Sequence, residues 1–257
     1  MLGTLVMNAL SLPSTPSLRL DGRRALVTGA GRGIGLAVAT AFAEAGASVT
    51  LCARTSLEIQ RASDALSEGG LSAVPLALDV TDSQAVARAI EAEAPFDVFF
   101  NNAGMNRPAP FVDVTMEDFD AAFSLNVRAA FFAAQAVARR LMAARKPGSI
   151  INVSSQMGHV GAVNRSVYCG TKWALEGISK AMAVELGPHG VRVNTLCPTF
   201  IETPMSRSFL ADPSFRDSVL SKIKLGRVGR VEDLMGAALF LASDASSLIV
   251  DGGWTAD

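Results

Sequence analysis

The chain is poor in the residues that build covalent or metal frameworks. Of its 257 residues only three are cysteine and two are histidine. Cys52, Cys169 and Cys197 are odd in number and unrelated in spacing, so no disulfide framework is expected. No His/Cys/Asp cluster has metal-ligand spacing, and no metal is assigned. Free cysteines of this kind suit a reducing compartment, and a cytoplasmic location is expected. Charge is equally sparse. Charged residues make up 18% and the formal net charge is −1, which excludes a nucleic-acid footprint and an acidic tail. No run of about eighteen apolar residues occurs, so no membrane span is expected. Residues 1–12 are apolar but carry no Lys or Arg, whereas a secretory signal starts with a basic region. A small molecule, rather than nucleic acid or a membrane, is the expected partner.

What the chain does have is apolar residues, 49% of the total, in short runs that alternate with longer amphipathic ones. Strands are expected over 24–28, 49–53, 73–78, 96–100, 149–153, 191–194 and 248–250. Helices are expected between them, the longest continuous over 116–144 and another over 167–186. The stretch 202–230 is polar and breaks the pattern, and a helix over 231–242 follows it. Alternation of this kind predicts an α/β fold: a doubly wound, Rossmann-like parallel sheet in three layers, with helices on both faces. Residues 1–18, with Pro13 and Pro16, read as an arm, and 19–257 as a single domain. In such sheets ligands sit beyond the carboxyl ends of the strands, which is where chemistry is sought.

Thr28-Gly29-Ala30-Gly31-Arg32-Gly33-Ile34-Gly35 joins the first strand to the first helix. Glycines let a ligand approach the main chain closely, and the helix N-terminus offers free N–H groups to a pyrophosphate. The glycine spacing differs from the common dinucleotide fingerprint, but the strand-loop-helix context supports dinucleotide binding.

Further along, Tyr168 and Lys172 are four apart on an expected helix and share a face. A free tyrosine is a poor base, and a nearby cation favours the phenolate, so the pair is a candidate acid/base. Ser155 falls just beyond the fifth strand, where its hydroxyl can stabilise charge on a substrate oxygen.

With these residues in place, the chain resembles the short-chain dehydrogenase/reductase family from about Leu20 to its C-terminus. Thr28–Gly35 matches the family's Thr-Gly-x-x-x-Gly-x-Gly, and 101–104 its Asn-Asn-Ala-Gly. Asn126 sits in a Leu-Asn-Val setting, as the family's asparagine does, and Ser155, Tyr168 and Lys172 match its serine and Tyr-x-x-x-Lys.

The resemblance implies an NAD(P)-dependent oxidoreductase acting on a secondary alcohol or ketone of a small polar substrate such as a sugar or polyol. The alternatives are a 3-oxoacyl-carrier-protein reductase or a dinucleotide-binding regulator without catalysis. By the same resemblance Tyr168 exchanges the proton, Ser155 polarises the substrate oxygen, Lys172 lowers the tyrosine pKa and holds the ribose, and Asn126 holds a water. Gly29, Arg32, Gly33, Ile34, Gly35, Arg54, Asp79, Val80, Asn102, Ala103, Gly104, Ile201 and Thr203, with Tyr168 and Lys172, are the implied cofactor contacts. Ser155, Gln156, His159 and Tyr168 are the candidate substrate contacts, and residues 205–224 a candidate lid.

Two departures stand out. Thr199 follows Pro198 where the family usually has glycine, and a Thr-Gly loop is missing at the Ser247–Leu248 junction, where a chain break is expected. Ala53 stands where an NAD-preferring site carries an acid, with Arg54 next and Arg32 in the glycine loop. Two cations and no acid favour NADP(H) over NAD(H), with NAD(H) still usable. Apolar helices bearing Phe123, Phe131, Phe132 and Trp173, together with the family resemblance, imply a symmetric homo-oligomer, a homotetramer built from two-fold interfaces.

Overall fold

The computed structural model describes residues 12–246. The Ser247–Leu248 junction and the expected strand over 248–250 lie outside these residues. The strands are β1 (Arg24–Thr28), β2 (Ser48–Ala53), β3 (Ala73–Ala77), β4 (Val98–Asn101), β5 (Gly148–Val153) and β6 (Val191–Leu196). They form one parallel sheet in the order β3-β2-β1-β4-β5-β6. Helices α1 (Gly33–Glu44), α2 (Ser56–Glu68) and α3 (Ser83–Glu91) alternate with β1 to β4.

Successive strand residues point to opposite faces, so each strand supplies both sides of the core. On one side Val27, Phe100 and Ile151 pack with Val38 and Phe42 of α1. On the other, Leu26, Phe99 and Ile150 meet Val86 and Ile90 of α3 and the alanine-rich stripe Ala133, Ala134 and Val137. Each of the buried Val, Leu, Ile and Phe side chains contributes about 1.5–3 kcal/mol by leaving water, which explains near-continuous apolar strands. The β3 edge is different: Pro75 sits in it and Val74 is half exposed, as an edge strand tolerates.

Two expectations need correction. The helix over 116–144 is not continuous. It is α4 (Met116–Phe123), a π-helical turn (Ser124–Ala129) and α5 (Ala130–Ala143). The turn carries Asn126, and π turns inserted in helices gather at functional sites. By length and composition alone an 18-residue window of this 28-residue segment, mean hydropathy 1.3, is apolar enough to cross a bilayer. Half of it is buried, however, and α5 lies against α3 and β4.

The stretch 202–230 is not irregular either. After the 21-residue α6 (Ser166–Leu186) and β6 come α7 (Pro204–Leu210) and α8 (Pro213–Lys222), then α9 (Glu232–Ala242). Thr203 caps α7 and Asp212 caps α8, each followed by proline in the first turn. That cap-then-proline signal was present in the sequence.

Candidate active site

The strand order reverses between β1 and β4, and a groove of about 250 Å³ crosses the carboxyl ends there. Its floor is the loop after β1. Gly29 has φ +64°, and a Cβ on it would fall 2.8 Å from Asn102 Nδ2. Gly35 is buried, and a Cβ there would come within 2.2 Å of the Gly29 carbonyl oxygen. Gly29 therefore opens the floor to a ligand, while Gly35 lets α1 sit close beneath it. Asn102 pins the facing loop: its Nδ2 donates to the Thr28 and Gly29 carbonyls at 3.0 and 3.3 Å. Gly29, Arg32, Gly33, Ile34, Arg54, Val80, Asn102, Ala103, Gly104 and Thr203 all line the groove.

Asp79 does not. Its carboxylate accepts from the Thr81 amide and hydroxyl at 2.9 and 2.8 Å, and these bonds hold it below the usual carboxylate range. Sequence reasoning also missed an acid in the groove. Glu58, in the first turn of α2, reaches across Gly31 and lies 3.6 Å from Arg32 Nε. So one of the two cations is already paired. Arg54 makes no ion pair among the described residues, although its charge helps to hold the Asp79 carboxylate down.

The groove continues into a cavity of about 160 Å³ beyond β5 and β6. Ser155, Gln156, Tyr168, Lys172 and Ile201 line it, with Met205 and Phe209 of α7 across the mouth. The candidate lid thus borders the cavity as a helix. Tyr168 is the chain's only tyrosine. Burial pushes its phenol above the ordinary value, and the Ser155 hydroxyl and Arg165 guanidinium pull it back. Lys172 is not among the groups that shift it. The ammonium lies 5.5 Å from the Tyr168 ring centroid and donates to the Val153 carbonyl at 2.7 Å. Burial pushes Lys172 down to about 8, against the pull of Cys197 and Glu176. Ser155 Oγ accepts from the Met157 amide at 3.1 Å, which fixes the serine at the cavity wall.

Asn126 stands behind this wall. Its Oδ1 accepts from the Met105 amide at 2.8 Å, and its Nδ2 donates to the Met105 carbonyl and Thr171 Oγ1. Those bonds tie the loop after β4 to α6 through the π turn. A buried chain runs beside them: Asn101 Nδ2 donates to Asn152 Oδ1, and Asn152 Nδ2 to Ser179 Oγ, each at 2.9 Å. A satisfied buried network of this kind fixes one arrangement of β4, β5 and α6.

His159 does not line the catalytic cavity. It turns toward Glu176 and Cys197, with Nε2 3.8 Å from the carboxylate and 3.5 Å from the sulfur. These three donor atoms lie within 4.8 Å of one another, although nothing in their spacing at 159, 176 and 197 marks a metal site. Both carboxylate oxygens of Glu176 already accept hydrogen bonds, from Cys197 Sγ and Thr195 Oγ1. Thr199, the replaced glycine, is outside the left-handed region, so the side chain adds no backbone strain. It lines the cavity instead.

A family profile described as Enoyl-(Acyl carrier protein) reductase matches residues 29–255. The L-xylulose reductase of Bos taurus is 44% identical over 245 residues, covering 93% of this chain and 99% of that protein. The gluconate 5-dehydrogenase of Gluconobacter oxydans (strain 621H) is 42% identical, covering 92% and 96%. The crystal structure of a gluconate 5-dehydrogenase from Burkholderia cenocepacia J2315, in complex with NADP and tartrate, superposes with a TM-score of 0.86. It is 36% identical and covers 93% of this chain and 98% of that one.

Proposed function

The chain belongs to the short-chain dehydrogenase/reductase family and is an oxidoreductase of CH–OH and carbonyl groups; from that premise we propose that it interconverts a secondary alcohol and a ketone on a small polyhydroxylated substrate, with NADP(H) preferred and NAD(H) accepted. The observation that carries this reading is Tyr168, half-buried beside Ser155 where the catalytic cavity opens into the dinucleotide groove.

The groove fits the cofactor, because a Cβ at Gly29 or Gly35 would close the cradle that the glycines leave open. The nicotinamide cofactor, when bound, supplies the hydride. Thr203 and Ile201 flank the groove and cavity where they meet. Arg54 faces the ribose end and makes no ion pair among the described residues, which suits a 2′-phosphate. Glu58 beside Arg32 works against it.

In the reductive direction Tyr168 donates its phenolic proton to the carbonyl oxygen, and the Ser155 hydroxyl stabilises the charge that grows there. The raised phenol pKa keeps that proton in place at neutral pH. Lys172, with its ammonium fixed on the Val153 carbonyl, offers its remaining N–H donors to the ribose. Asn126 acts through the Met105 loop and Thr171, as a positioning residue.

The relatives named for L-xylulose and gluconate support a sugar-class substrate over an acyl thioester. The exposed aromatic side chains Phe119, Phe131, Phe132 and Trp173 on α4 to α6 support a homotetramer. We take 1–18 as an arm and 19–257 as one domain, since 12–18 form no regular element and Leu20 is the first buried side chain among the described residues. A cytoplasmic location, away from membrane and nucleic acid, follows from the composition.

The test is a panel of sugars, polyols, ketones and acyl thioesters, read by NADPH absorbance. Turnover confined to acyl thioesters would overturn the reading.

A further inference from the structure

Arg165 precedes α6, three residues before Tyr168, and lines the catalytic cavity. It is only 7% exposed, a rare state for an arginine without an acid. Among the described residues no carboxylate lies within ion-pair distance of it. Its one hydrogen bond runs from Nη1 to the Asn164 carbonyl at 3.2 Å. The guanidinium is packed beside the rings of Phe209 and Phe215, with its carbon 5.3 and 5.9 Å from their centroids. Those rings flank the planar fork, which borders both the catalytic cavity and a neighbouring cavity of about 860 Å³. Burial lowers the pKa of the group, the mark of a cation kept in a poorly solvated place.

The cavity therefore presents an uncompensated cation beside the Tyr168–Ser155 pair.

We propose that the substrate is a hydroxy acid of the sugar-acid class, its carboxylate held by the Arg165 fork and its reacting carbon presented to Tyr168. This rests on the sugar-class reading above and narrows it. A neutral ketose fills the cavity but leaves the Arg165 charge unmatched. An acyl chain leaves it unmatched as well. Arg suits this task better than Lys because its planar N–H pairs match a carboxylate in two-point contact.

The experiment compares matched pairs of substrates, keto-aldonates and neutral ketoses of equal carbon number, by kcat/KM with NADPH. The wild type is expected to favour the acids about 10- to 100-fold, the worth of a hydrogen bond to a charged group. Arg165→Gln is expected to bring the acid-to-neutral ratio to near one. Arg165→Lys, which keeps the charge, is expected to fall between. The ratio is the readout because Arg165 also acts on the Tyr168 phenol, which shifts both columns alike.

Binding of tartrate to the NADPH complex, followed by thermal shift, separates the two claims. Wild-type tartrate binding that Arg165→Gln abolishes, without turnover of any sugar, keeps the anion seat and sinks the sugar reading. Equal turnover of acids and ketoses by the wild type, or an acid preference that survives in Arg165→Gln, overturns the proposal and leaves the sugar reading standing. If neither substrates nor tartrate respond to Arg165, both fall.

Discussion

At the β1–β4 end of the groove the walls are largely main chain; at the β5–β6 end they are side chains. Around Gly29 and Gly35 the space is set by what is missing, since any Cβ would strike a carbonyl or the Asn102 amide. Around Tyr168 it is set by what has been gathered: Asn106 after β4, Ser155 after β5, Arg165 before α6, Phe209 on α7. A surface of backbone recognises a ligand part that never changes, such as a pyrophosphate. A surface of side chains from separate elements is free to differ between relatives that share the fold, and substrate choice resides there.

Tyr168→Phe gives the sharpest contrast between the two ends. It is expected to cut kcat by about 100- to 10,000-fold, the usual worth of a general acid, and to leave NADPH affinity unchanged by fluorescence titration. Retention of most of the wild-type kcat would remove Tyr168 from the mechanism. The raised phenol pKa also fixes the pH dependence of the wild type. Reduction needs the protonated phenol, so its rate should stay level through neutral pH. Oxidation needs the phenolate, so it should rise about tenfold per pH unit on the alkaline side.

Gly35→Ala should injure the other end. With the Gly29 carbonyl oxygen only 2.2 Å from the new Cβ, α1 must move off the loop. Overpacking of this sort costs about 1–3 kcal/mol, and each kcal/mol lowers Tm by about 2–4 °C in a chain of this size. NADPH affinity should fall with it. A variant with wild-type Tm and affinity would mean that the cradle is not built on close contact.

Arg54→Ala should lower kcat/KM with NADPH about 10- to 100-fold and leave NADH little changed. An unchanged ratio of the two cofactors would exclude Arg54 from phosphate recognition. The smallest effect is expected at Glu58. Glu58→Gln removes the acid beside Arg32 and should improve NADPH KM by no more than about fivefold, since half-exposed pairs are worth about 0.2–1 kcal/mol. Worse NADPH binding would show that Glu58 orients Arg32 instead of competing with the phosphate.

How far each end could be read from the sequence follows the same division. The strands over 24–28 and 149–153 and the glycine loop were legible because apolar alternation and glycine spacing are properties of neighbouring residues. The break in the 116–144 helix was not. A π turn adds one residue to a helical coil, and no glycine or proline in Ser124–Ala129 marks it. The α7–α8 pair was legible in principle from the cap-and-proline pairs Thr203-Pro204 and Asp212-Pro213. Arg32 lines the groove as its place in the glycine loop suggests, but Glu58 was missed. Twenty-six positions separate them, and only the packing of α2 against β2 brings them together.

Local sequence therefore determined the alternating layers, the dinucleotide cradle and the Ser155, Tyr168 and Lys172 set, because each depends on periodicity, backbone freedom or short spacing. The tertiary structure alone decided that Asp79 is spent on Thr81, that His159 turns to Glu176 and Cys197, and that Arg165 lines the cavity of Tyr168 without a carboxylate of its own. Whether a polar group is satisfied or left over depends on which distant segments pack around it, and sequence spacing carries no record of that packing.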